Sequence, residues 1–67
     1  MSMTLGEVFP AELDRVRQVQ AEYVKIGPVG AMHVMYIGAL VRQAELAWAT
    51  QDAVDMLRLL ERLKAVE

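Results

Sequence analysis

The chain contains no cysteine, one histidine, two prolines and four glycines among 67 residues. Without cysteine there are no disulfides and no thiolate metal sites, and nothing signals an oxidising compartment. One histidine cannot form a histidine cluster, and the acidic residues are scattered over predicted outer faces. Serine and threonine are scarce: Ser2, Thr4 and Thr50 fall outside the predicted helices with no base nearby in sequence, so nucleophilic catalysis has no foothold. No catalytic, cofactor-binding or metal-binding residue is assigned. No strand signal, internal repeat or low-complexity tract is present.

The charge balance is equally uninformative about partners. Seven basic residues stand against nine acidic ones for a formal charge of −2. The basic residues are dispersed, so no phosphate-binding footprint forms and nucleic-acid binding is disfavoured. The longest apolar run, Val29 to Val41, is shorter than the ~20 residues a membrane span needs. It also carries Gly30, His33 and Gly38. Met1 to Glu7 lacks the basic start and apolar core of a secretory signal. A cytoplasmic, non-membrane protein is the expectation.

What is present is apolar content, 55% of the chain, arranged with helical periodicity. A single all-α domain over 1–67 is expected, with residues 1–8 poorly ordered and helices at about 10–26, 29–49 and 53–66. Pro10 suits a first helical position, and Glu12 and Asp14 suit the positive end of the helix dipole. Phe9, Leu13, Val16, Tyr23 and Ile26 recur as an inward stripe, with Val19 flanking and Gln20 interrupting it. Gln20 reads as a surface residue; fixing register across a symmetric interface is the competing role. Gly27-Pro28 breaks the chain: glycine accepts a left-handed cap and proline prevents simple continuation. Gly27-Pro28-Val29-Gly30 is no phosphate loop, lacking the Gly-Lys-Ser/Thr ending and a preceding strand.

The second helix carries two apolar stripes. One reads His33, Ile37, Leu40, Ala44, Ala47 and Trp48. The other, on roughly the opposite side, reads Met32, Met35, Ala39, Arg42, Leu46 and Ala49 in alternating three- and four-residue steps. A helix apolar on both sides is a buried one. Gly38 and Ala39 lower its relief, which predicts a close helix crossing. Asp52 then N-caps the last helix. Its inward face is expected at Ala53, Met56, Leu57, Leu60 and Leu63, with Leu59 and Val66 flanking.

Six residues invite a functional role. His33 reads as a histidine packed at the hairpin end, since catalysis would need an oriented carboxylate or nucleophile beside it; a pH-sensitive element at an interface is the rival. Met32, Met35 and Met56 read as core filler, with an adaptable binding surface as the rival. Trp48 reads as structural, and Tyr36 suits a core or an interface equally.

The pattern Phe9-Pro10-Ala11-Glu12-Leu13, Ile26-Gly27-Pro28 with Gly30-Ala31, and Asp52 leading into Met56-Leu57-Arg58 resembles small uncharacterised helical proteins encoded in bacteriophages and prophages. The resemblance spans about residues 7 to 67. It implies no catalytic or binding residues, only a context: an accessory protein that acts on a host or phage component by binding.

A chain this short buries only about 60% of its unfolded surface. With disulfides and metals excluded, association is the remaining way to complete a core. The expectation is a three-helix domain with a central apolar helix, completed as a homodimer through Met32, Met35, Ala39, Arg42 and Leu46. Its function is expected to be non-enzymatic protein–protein interaction, with another protein as a further possible partner. A structural subunit of a larger assembly and a small dimeric nucleic-acid-binding regulator are the alternatives.

Overall fold

Two breaks divide the chain into three helical segments. The computed structural model describes residues 2–67, and these form α1 (Leu5–Ile26), α2 (Ala31–Thr50) and α3 (Ala53–Lys64), with no strand among the described residues. The fold is an all-α three-helix bundle.

α1 begins at Leu5, five residues before the expected start, and Pro10 lies inside it. The cause is a capping box. The Glu7 carboxylate accepts hydrogen bonds from the Thr4 backbone N–H at 3.2 Å and from the Thr4 hydroxyl at 2.8 Å, holding the first turn closed. These bonds also hold the Glu7 carboxyl below its ordinary pKa, the side-chain bond from Thr4 being the larger cause. An interior proline removes one i→i−4 bond and typically costs about 3 kcal/mol. Burial offsets this: Phe9 is fully buried, and Leu5 and Val8 pack against the core. Residues 5–8 are therefore helical rather than poorly ordered; Met1 lies outside the described residues.

Gly27 ends α1 with φ +88°, and its N–H bonds to the Val24 carbonyl. A 3-10 turn at Pro28–Gly30 follows, so α2 starts at Ala31 rather than Val29. Gly30 is buried against α1: a Cβ there would lie 2.5 Å from the Tyr23 carbonyl oxygen. The chain thus folds back onto Tyr23, one turn before the end of α1. Ile26 consequently has nothing opposite it and is exposed, contrary to its place in the inward stripe.

The core sits between all three helices. α1 contributes Phe9, Leu13 and Val16; α2 contributes Ile37, Leu40, Val41, Ala44 and Ala47; α3 contributes Met56, Leu59, Leu60 and Leu63, followed by Val66. Trp48 stacks on Phe9 with ring centroids 6.0 Å apart. α3 is rotated relative to expectation, with Leu59 and Val66 buried and Leu57 and Ala53 exposed. It touches both α1 and α2, so its buried strip centres on Met56, Leu59/Leu60 and Leu63. Asp52 caps α3, its carboxylate accepting from the Asp55 N–H at 3.2 Å.

Two arginines tie the helices together. Arg15 donates to the Val66 carbonyl at 2.9 Å and the Leu63 carbonyl at 2.8 Å, while its Nε bonds Glu12. A cation at these carbonyls complements the negative end of α3. Arg17 joins Glu45 on α2 at 2.6 Å and Asp14 at 3.0 Å. The bond to Glu45 is the main reason its guanidinium pKa is raised.

Candidate interaction face on the central helix

α1 and α3 cover one side of α2 and leave the other bare. Steps of three and four residues place Met32, Met35, Ala39, Arg42 and Leu46 along one strip of helix. On this strip Met32 is 82% exposed, Met35 74% and Leu46 66%, while Arg42 is exposed and Ala39 half-buried. Two residues outside the expected set extend the strip. Tyr36 is exposed, and Val29, in the 3-10 turn, is 86% exposed. Tyr36 follows Met32 by one helical turn, a spacing that could have included it.

The histidine is not inward. His33 is exposed and lies flat on the Tyr23 ring, with centroids 4.5 Å apart and planes 3° from parallel. The reason is the same fold-back that exposes Ile26: Tyr23 occupies the space His33 would have filled. Below the stack is an open cleft of about 270 Å³, with Tyr36, Ile37, Arg62 and Val66 among its walls. The Tyr23 hydroxyl is committed to the Glu67 carbonyl at 3.0 Å. The walls carry no serine, threonine or cysteine. No group of three or more His, Cys, Asp or Glu residues that could hold a metal ion exists among the described residues.

Gln20 takes neither role expected for it. It is half-buried and its amide donates to the Val34 carbonyl at 3.2 Å, bridging α1 to α2. The side chain passes over Gly38, where a Cβ would stand 3.1 Å from the amide nitrogen. Gly38 therefore makes room for a side chain of α1, while the close backbone approach belongs to Gly30. Arg15 and Gln20 both act across helices, and neither contact has a local sequence signal.

Four of the seven basic residues are engaged by acids: Arg15 by Glu12, Arg17 by Asp14 and Glu45, Lys25 by Glu22, and Arg58 by Asp55. No helix among the described residues is long and apolar enough to cross a membrane. No protein-family model, curated protein or solved structure matches the chain.

Proposed function

We propose that this chain is a non-enzymatic helical interaction protein that works by binding a protein partner through the bare face of α2. One observation carries the proposal: Met32, Met35 and Leu46 remain in water although Ile37, Leu40, Ala44 and Ala47 on the opposite side of the same helix are buried. Contiguous exposed apolar strips on small soluble proteins mark binding surfaces, and methionine side chains adapt to a partner's shape. The His33 cleft supports the non-enzymatic part, since a histidine stacked on tyrosine with no nucleophile in the walls offers no acyl- or phosphoryl-transfer constellation. The pairing of most basic groups with acids weighs against a nucleic-acid-binding regulator. A phage-type accessory role in the cytoplasm belongs to the same proposal and rests on the sequence pattern alone.

The test compares proteins captured from cell extract by the wild-type chain and by Met35→Asp, with helicity of both checked by circular dichroism. The proposal expects a partner retained by the wild type and lost by the folded variant. Identical capture by both would overturn it.

A further inference from the structure

The geometry points to the cleft beneath the His33–Tyr23 stack as a binding site for a small aromatic carboxylate, one ring bearing one anionic group. The cleft is separate from the bare face of α2 and shares only Tyr36 with it. Three elements meet there. Tyr23 comes from α1, and Arg62 and Val66 come from α3 and the residues after it. His33, Tyr36 and Ile37 come from α2 at steps of three and four residues, which set them on one side of the helix.

These walls are held in place by contacts within the chain. Tyr23 is fixed at both its hydroxyl and its ring. The hydroxyl donates to the Glu67 carbonyl at 3.0 Å, and the ring lies against His33 with centroids 4.5 Å apart. Gly30 sits close against the Tyr23 carbonyl, which anchors the start of α2 and with it His33. Ile37 and Val66 are buried, so the base of the cleft is apolar and packed. Walls already ordered spare a ligand the cost of ordering them.

The chemistry of the walls selects the ligand. Tyr36 is exposed and stacks on no other aromatic ring among the described residues. Its face is free for an offset aromatic partner. Arg62 is exposed and joins no ion pair among the described residues. Its planar guanidinium is free to hold a carboxylate through two parallel N–H bonds. An uncharged ring would leave Arg62 unused, and a bare anion would leave Tyr36 and the apolar base in water. A ring carrying a carboxylate engages both. Size sets the upper limit: the cleft measures about 270 Å³, below the ~300–1,000 Å³ of sites for drug-sized molecules. It takes a single ring and not a nucleotide. Glu67 is the one acid among the lining residues and opposes the anion, so a ligand of so few atoms binds with a Kd of about 1 mM.

The test titrates benzoate into the protein and follows side-chain NMR signals. Benzyl alcohol and cyclohexanecarboxylate serve as probes that lack the charge and the aromatic face respectively. Saturable movement is expected for the His33 and Tyr36 ring signals and the Arg62 Nε signal, while the Nε signal of Arg42, outside the cleft, stays unmoved. Cyclohexanecarboxylate should bind about threefold more weakly than benzoate, and benzyl alcohol about tenfold. Arg62→Gln, with helicity unchanged, should lose about tenfold in benzoate affinity. Equal movement of the Arg42 and Arg62 signals would mean general association of anions with surface arginines. Benzyl alcohol binding as tightly as benzoate would mean that the cleft accepts any ring, and cyclohexanecarboxylate doing so would remove the aromatic preference. Unchanged binding by the folded Arg62→Gln variant would place the carboxylate elsewhere. Each of these results overturns the proposal, as does the absence of saturable movement in the cleft.

Discussion

The two faces of α2 are built from similar residues and live in opposite environments. Ile37, Leu40, Ala44 and Ala47 are packed by α1 and α3, while Met32, Met35 and Leu46 meet water. Apolar content alone did not assign these fates. α1 and α3 each have one apolar strip to bury, and two helices cover one side of a third. The covered side defines the fold, and the bare side is what the fold leaves available for binding.

Substitutions on the two faces should therefore separate sharply. Leu40→Ala, at 1% exposure, is expected to lose about 2–5 kcal/mol in urea unfolding, the usual range for emptying a packed leucine site. Leu46→Ala, measured at dilution where only monomer is present, should change stability by no more than about 0.5 kcal/mol. Equal losses at the two positions would break the comparison.

The hairpin that sets α2 against α1 comes next in size. Gly30→Ala drives a Cβ into the Tyr23 carbonyl, and forced backbone displacement of this kind costs about 1–3 kcal/mol. Thermal unfolding reads this directly; an unchanged midpoint would mean that the turn tolerates separation from α1. Arg15→Leu should lose about 1 kcal/mol, at the lower end for charge-assisted bonds because the side chain is 40% exposed. Its hydrogen-exchange signature should be confined to the last turn of α3.

The smallest effect is at the start of α1. The Glu7 pKa is lowered from 4.5 by Thr4, so its contribution is present above pH 4.5 and is lost as pH falls through that value and the lower folded one. Glu7→Gln should remove this part of the acid sensitivity, seen as a shallower loss of melting temperature below pH 4.5 than the wild type shows.

Much of this fold was legible because its signals are local. Gly27-Pro28 and Asp52 punctuate the chain, and the spacing of Phe9, Leu13, Val16, Ile37, Leu40 and Ala44 follows the helical period. The start of α1 was also written locally, in Thr4 and Glu7, but Pro10 carried the stronger boundary signal and prevailed. The rotation of α3 could not be read, because Leu57, Leu59 and Leu60 offer two apolar faces about a turn-step apart and only the neighbouring helices choose between them. Arg15 reaches carbonyls 48 and 51 residues away, and His33 follows Tyr23 only once the turn has folded back. Of the candidate site, the Met32–Leu46 strip was readable from its heptad spacing. Tyr36 follows the same helical step from Met32, whereas Val29 lies in the turn before α2 and falls outside that period.

Sedimentation equilibrium of the wild type and Met35→Asp at micromolar concentration tests the central claim most directly. The wild type should approach twice its 7.5 kDa chain mass as concentration rises, while the variant, with unchanged helicity, should remain at the mass of one chain. A wild type that stays at one chain mass throughout, or a variant that associates as well as the wild type, would contradict the expectation that two copies pair through this face.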